Sequence, residues 1–314
     1  MIVIHETAIR QSLDYLRIIP LMREALIAQS RGECDTPLPM HLDIAPESAE
    51  VHIKSSYRSG GRYFVLKMAS TFPNNRERGI SSGNGLMLLC SAETGKPAAL
   101  LIDGGHLTDV RTAAVAAMVA AELRRQDEAL GILGSGIQAR LQAALHSRIL
   151  GLREIFIWGR TAEPLRQCCR DIQAMLPEVH VHRCPSPADV ASHARLVICC
   201  TASRAPLLHP GDLQSGTLIS AVGSDAPGKQ ELDPDILQAA SLILVDSRRQ
   251  CVRLGELQHI PELFARSIEI GEFCQASNPV PPGGLTVCDL TGLGVEDLFV
   301  AEHCLDVAGK SIAI

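Results

Sequence analysis

The sequence predicts an α/β chain of two parts: a doubly wound parallel sheet, and a second, strand-rich α+β part. Three observations predict it. From about residue 127 to about 288, short and nearly all-apolar runs alternate with helical stretches, the pattern of parallel strands covered on both faces. Over roughly the first 105 residues, paired strand-like runs are joined by tight turns, the mark of antiparallel pairing. The chain has 314 residues, too many for one simple core and enough for two.

Residues 1–30 read as a short strand and then an amphipathic helix, SLDYLRIIPLMREALIAQS, interrupted near Pro20. The stretch AEVHIKSSYRSGGRYFVLKMAST is a hairpin in which Gly60 and Gly61 are able to take the positive φ of a primed turn. That turn pairs residue 59 with 62 and therefore sets Lys54 opposite Lys67. GLMLLCSAETGKPAALLID repeats the strand, turn and strand. LTDVRTAAVAAMVAAELRR is an Ala-rich helix with Thr108 as its expected N-cap, Asp109 in the first turn and a basic end. Arg111 is out of place there, because a cation in the first turn opposes the helix dipole and a capping box would want Glu or Gln.

The second part follows in order. EALGILG is a strand, SGIQARLQAALHSRIL a helix, REIFIWG a strand, TAEPLRQCCRDIQAML a helix, VHVHRC a strand and PADVASHA a helical turn. RLVICCTA, GTLISAVG and ASLILVDS are further strands, and VEDLFVAEHCLDVAGK is a closing amphipathic helix. A tail helix of this kind is expected to return to the first part. The expected domains are therefore 1–115 with 295–314, and 116–294.

Composition narrows the function. A net charge of −6 argues against a phosphate-backbone binder, and 3% aromatic residues removes most stacking platforms for single-stranded nucleic acid. No apolar run approaches the ~18 residues of a membrane span, and the start MIVIHETAIRQ carries polar residues at once. A cytoplasmic protein is expected, with its eleven cysteines as reduced thiols.

GILGSGIQA follows a strand and opens a helix. Gly134, Gly136 and Ala139 fill the small positions of G-x-G-x-x-[G/A]: a tight turn, a close backbone approach to a pyrophosphate, and close helix–strand packing. The context is that of a Rossmann dinucleotide-binding domain, with the helix N–H groups taking the phosphates. An NAD binder carries an acid at the end of the next strand for the ribose 2′-OH. Here WGRT stands there, and Glu154 lies at the wrong end, so Arg160 and Thr161 favour a 2′-phosphate and NADP(H), with NAD(H) as the alternative.

Lys67 lies mid-strand with Val65 and Ala69 on its face, and a buried amine serves as an anion clamp or a shifted acid/base. Opposite Lys54 it would be repelled unless an anion intervened. Asp225, in SAVGSDAPGKQELD, follows a buried strand, where α/β sheets bind ligands. His180, His182 and Cys184 share a face of VHVHRC, but no fourth ligand stands nearby and an edge strand explains them, so no metal is expected.

Together VLKMASTFPNN, the run from GLMLLC to AAMVAA, GILGSGIQA, AVGSDAPGKQELD, LILVDS and DLTGLGVEDLFVAEH resemble the ornithine cyclodeaminase/mu-crystallin family. The resemblance spans roughly residues 50 to 305. It implies a homodimer of two-domain subunits that binds NAD(P)(H) in the Rossmann domain and substrate in the strand-rich domain, which also makes the dimer contacts. It sets the substrate lysine on Lys67, the substrate arginine on Arg111, a pocket hydroxyl on Ser82 and the acid/base aspartate on Asp225. Nucleotide contacts fall on Gly134, Gly136, Ile137, Gln138, Arg160, Thr161, Thr201, Ser203, Val222 and Lys229. Arg111 would then tolerate its helix because it faces a substrate carboxylate. Two departures stand out. No arginine occurs near PMHLDI, where the family often has one and where Lys54 would supply the charge. WGRT also lacks the acid of ornithine-cyclising members and matches the NADPH-using branch.

The function expected is NAD(P)H-dependent reduction of a small cyclic or acyclic α-imino acid to the L-amino acid, reversibly. The same parts would serve an amino-acid cyclodeaminase that uses NAD catalytically and releases ammonia. A third reading is a crystallin-like NADPH-binding protein without turnover. The retention of Lys67 and Asp225 argues against it.

Overall fold

A computed structural model describes residues 1–123, 129–276 and 283–312. They form two units, Met1–Arg111 with Leu293–Ile314, and Thr112–Gly292. The first opens with β1 (Ile2–His5), α1 (Glu6–Ser12) and α2 (Tyr15–Ser30). The break falls at Leu13–Asp14, and Pro20 lies inside α2. Leu13 turns extended, and the Asp14 carboxylate accepts the Leu16 N–H at 3.0 Å as the new cap. The buried stripe of Ile18, Met22, Ala25 and Leu26 holds α2 in spite of the backbone bond that proline removes.

The sheet continues with β2 (Cys34–Asp35), β3 (Met40–Ile44), β4 (Ala49–Arg58), β5 (Tyr63–Thr71), β6 (Gly83–Ser91) and β7 (Pro97–Ile102). Its order is β1-β7-β6-β5-β4-β2, with β3 also on β4. All pairs are antiparallel except β1 with β7, which is parallel. The antiparallel expectation fails at this edge because helices and five strands separate the two partners, and so long a connection permits parallel pairing. Lys54 does stand opposite Lys67. Only Gly60 of the turn pair takes positive φ, at 74°, while the Gly61 N–H closes the turn on the Arg58 carbonyl at 2.8 Å. The expected primed turn is thus replaced by one needing a single left-handed residue.

Period-two alternation gives the sheet two apolar faces. Ile4, Val65, Met87, Leu89, Ala99 and Leu101 are buried on one; Val3, Met40, Leu42, Ile44, Leu66 and Ile102 stay exposed on the other.

Helix α3 (His106–Glu122) begins two residues before Thr108. The Asp103 carboxylate accepts the Leu107 N–H at 2.7 Å and does the capping expected of Thr108. Arg111 consequently lies in the second turn, clear of the positive helix end. The predicted basic end, 124–125, lies outside the described residues.

The second unit runs β8 (Ala129–Leu133), α4 (Ile137–Leu150), β9 (Glu154–Trp158), α5 (Ala162–Met175), β10 (His180–Arg183), α6 (Pro187–His193) and β11 (Leu196–Cys199). It continues with β12 (Arg204–Leu208), β13 (Leu218–Ala221), β14 (Gln230–Leu232), α7 (Pro234–Ala239), β15 (Leu242–Val245), α8 (Arg248–Leu254), β16 (Ser267–Glu269), α9 (Ile270–Gln275) and β17 (Thr286–Asp289). Eight strands form one parallel sheet in the order β10-β9-β8-β11-β13-β17-β15-β16, and β12 pairs with β14 apart from it. The order reverses between β8 and β11, which puts the switch point at the carboxyl ends of those strands. Strand β10 is the edge, where His182 stacks on Phe156 and bonds Glu154 at 2.6 Å. The chain then returns to the first unit as α10 (Gly294–Ile312), which packs on α2, β4, β5 and β6.

Candidate active site

In the first unit α10 meets β4 so closely that a Cβ on Gly294 would stand 2.3 Å from the Ser55 carbonyl oxygen. Only glycine permits this approach. It brings the first-turn acids Glu296 and Asp297 onto the sheet face that carries Lys67, and acids suit a helix N-terminus. Glu296 Oε2 accepts from Arg111 Nη1 at 3.0 Å, and Asp297 Oδ1 accepts from Arg111 Nε at 3.2 Å. Asp297 Oδ2 lies 3.5 Å from Lys67 Nζ. Lys67 is 2% exposed and Asp297 is fully buried. Burial draws the Lys67 amine below the ordinary lysine range; Asp297 opposes that shift and Arg111 adds to it.

The cations were expected to repel one another unless an anion lay between them. The chain's own last helix supplies two carboxylates instead, so that repulsion is already offset. Those acids escape a sequence reading because Asp297 lies 186 residues from Arg111 and resembles any acid in a first helical turn. Lys54 is buried at the register position facing Lys67. Three buried cations, Lys54, Lys67 and Arg111, thus share one region with the buried carboxyl groups of Glu296, Asp297 and Asp103. Nearby, burial raises the Asp103 carboxyl above its usual range. Ser82 is half-buried just before β6, and its carbonyl accepts the Phe72 N–H at 2.7 Å.

In the second unit Gly134 has φ +133, and a Cβ there would come 2.7 Å from the Cys200 carbonyl oxygen. Gly136 is the N-cap of α4, and the space where its Cβ would project is open. Ala139 is fully buried beneath them. Ile137 is half exposed at the helix start, and the neighbouring Gln138 accepts from Gln142 at 3.3 Å. A bare turn, open space and the start of a fourteen-residue helix, the positive end of its dipole, fit a pyrophosphate. Beside it, Gly159 packs on Ser135, with 2.8 Å from a built Cβ to the hydroxyl. Arg160 and Thr161 follow Gly159 and are exposed.

Thr201 and Val222 lie just past β11 and β13. The Thr201 N–H and hydroxyl both donate to Glu231 Oε1, at 2.6 and 2.7 Å, and the Gly223 N–H donates to Glu231 Oε2 at 2.8 Å. Glu231 therefore ties together the two loops at the strand ends. Ser203 donates to the Ala205 carbonyl at 2.6 Å. Lys229 Nζ donates to Asp225 Oδ1 at 2.7 Å, so these two named residues meet each other.

Behind the loops lies a chain of buried acids that sequence reasoning missed. Glu256 accepts the N–H groups of Glu231 and Leu232, and Asp289 accepts those of Glu256 and Leu257. Burial pushes Glu231 and Asp289 up to about 7 and Glu256 to about 9. A carboxyl raised in the folded state stabilises fully below its unfolded value and loses that contribution as pH climbs through the folded one. The melting temperature should therefore fall from pH 6 to pH 9.5, and Glu256→Gln, which cannot ionise, should flatten the alkaline part. Thermal unfolding across that range checks this; parallel curves for the two proteins would refute it.

The profile of the ornithine cyclodeaminase/mu-crystallin family matches residues 1–311. An uncharacterized cyclodeaminase of Sinorhizobium fredii is 35% identical over 273 residues, covering 84% of this chain and 82% of the relative. A Δ1-pyrroline-2-carboxylate reductase of Bacillus thuringiensis subsp. konkukian is 28% identical, covering 99% and 98%. The crystal structure of iminosuccinate reductase of Paracoccus denitrificans in complex with NAD+ superimposes with a TM-score of 0.88 at 25% identity, covering 99% of this chain and 97% of that one.

Proposed function

The chain belongs to the ornithine cyclodeaminase/mu-crystallin family, and from that premise we propose that it is an NAD(P)H-dependent reductase of a small α-imino acid, yielding the L-amino acid. Family membership supports the coarser statement, an NAD(P)-dependent enzyme of the reductase or cyclodeaminase kind. The observation that carries the finer reading is the burial of three cations, Lys67, Arg111 and Lys54, in one region, donors that suit a carboxylate. Lys67 and Arg111 bind that carboxylate, Lys54 adds to the field and the Ser82 hydroxyl lines the pocket. When bound, the nicotinamide supplies the hydride. Asp225, held by Lys229, moves the proton at the imine nitrogen. Gly134 and Gly136 leave room for the pyrophosphate, and the Ile137 and Gln138 N–H groups bind it. Thr201, Ser203 and Val222 line the strand-end loops that Glu231 braces.

Amino-acid cyclodeamination with catalytic NAD is the second reading, favoured by the Sinorhizobium relative's name. A panel of cyclic imines, and of α-keto acids with ammonia or methylamine, followed by NADPH and NADH absorbance tests the reductase reading. Silence across the panel would remove it.

NADP(H) is the preferred cofactor because Arg160 and Thr161 stand at the end of β9, while Glu154 lies at its start. Arg160→Ala should weaken NADPH binding by about 1.5–3 kcal/mol, the value of a hydrogen bond to a charged group, and leave NADH nearly unchanged. Equal losses for both cofactors would count against the assignment.

The functional form proposed is a homodimer. Support comes from the six exposed apolar side chains on the outer sheet face, a surface that monomers seldom leave open. Light scattering should give twice the chain mass of 33.7 kDa; a monomer mass at micromolar concentration would contradict it. Among the described residues no helix is long and apolar enough to cross a membrane.

A further inference from the structure

We propose that His41, Glu50 and His52 form a binding site for a divalent transition-metal ion of the zinc type, clipping β3 to β4. His41 and His52 are cross-strand partners, and their rings meet edge-on with centroids 4.7 Å apart. Glu50 lies two residues before His52 and so projects from the same face of β4. One ligand atom from each of the three lies within 4.8 Å of the others. His52 Nε2 and Glu50 Oε2 are 3.7 Å apart. A tetrahedral ion with bonds of about 2.0–2.1 Å spaces its ligands by about 3.3–3.4 Å, so small side-chain rotations close the set.

Two further features point to a cation. His41 Nδ1 and His52 Nε2 are buried and have no hydrogen-bond partner, a costly state for ring nitrogens. The other nitrogen of His41, Nε2, lies 3.0 Å from Asp43 Oδ1. That carboxylate holds the proton on Nε2 and leaves the lone pair on Nδ1, the buried nitrogen that has no hydrogen-bond partner. This is the carboxylate–histidine–metal arrangement that fixes a ligand's tautomer and raises its basicity. Two imidazoles and one carboxylate suit Zn2+, with water as fourth ligand. The site lies at the sheet edge, where β3 pairs with β4. It needs neither the cofactor nor turnover.

The test uses the full chain, stripped with EDTA and dialysed against Zn2+ at pH 7.5, with elemental analysis and the melting temperature as readouts. The expected result is one Zn2+ per chain at micromolar affinity or tighter, a raised melting temperature by mass action, and Co2+ loading that gives d–d bands without thiolate charge transfer. That last readout separates the site from the eleven cysteines. His41→Gln and His52→Gln should each weaken binding at least tenfold, and His182→Gln, on strand β10 of the second unit, should not. Asp43→Asn should weaken it by about 10–100-fold, and it keeps the question open to test if a histidine variant fails to fold. No stoichiometric binding, thiolate bands in the Co2+ spectrum, or binding indifferent to all three substitutions would overturn the proposal.

Discussion

Asp297→Ala should destabilise the strand-rich unit by about 3–5 kcal/mol, the cost of breaking a buried ion pair by removing one partner. The cause is specific. Lys67 and Asp297 are both buried, and Asp297 also accepts from Arg111. Without the carboxylate, Lys67 keeps its desolvation cost and loses its neighbour of opposite charge. The deficit should shrink on raising the pH. Removing Asp297 lowers the folded-state value of Lys67 further, and a lysine lowered in the folded state contributes stability that grows as pH rises toward its unfolded value of about 10.4. Urea unfolding at pH 7 and pH 9.5 measures both effects. A loss below ~1 kcal/mol would mean that the pair behaves as an exposed one, and the buried cluster would need redrawing.

Asp225→Asn should lower kcat by about 10²–10⁴-fold, the usual contribution of a positioned acid/base group, with little change in cofactor affinity. The substitution separates two roles. An asparagine oxygen still accepts from Lys229 Nζ, so the loop keeps the contact seen at 2.7 Å. The carboxylate's ability to carry a proton is lost. Near-normal turnover in the variant would leave Asp225 as a loop anchor only.

Much of the fold was legible because period is a local property. Strands such as Leu130–Leu133 and Leu242–Val245 are apolar throughout and lie inside a parallel sheet, where burial on both faces demands that composition. The pairing of Lys54 with Lys67 followed from turn position and strict alternation. Local cues failed where a distant residue decides the outcome. Asp103 caps α3 from a turn upstream and moves its start to His106, and Asp14 rather than Pro20 resets the first helical stretch. Glu231, Glu256 and Asp289 look like ordinary surface acids in sequence, yet each accepts backbone N–H groups from a neighbouring loop in the interior. The acids of α10 are the consequential omission, since Gly294 brings them to Lys67 only through a close approach to β4 that has no sequence-local trace.

An imino-acid reductase consumes reduced cofactor in making an amino acid. The direct measurement is stoichiometry: NADPH oxidised, amino acid formed and ammonia released, followed together with a cyclic imino acid such as Δ1-pyrroline-2-carboxylate and, in parallel, with ornithine and NAD+. The expected result is one NADPH consumed for each imine reduced, no ammonia, and no turnover of ornithine. Ammonia released from ornithine with no net change in NAD+ would contradict it and make the chain a cyclodeaminase.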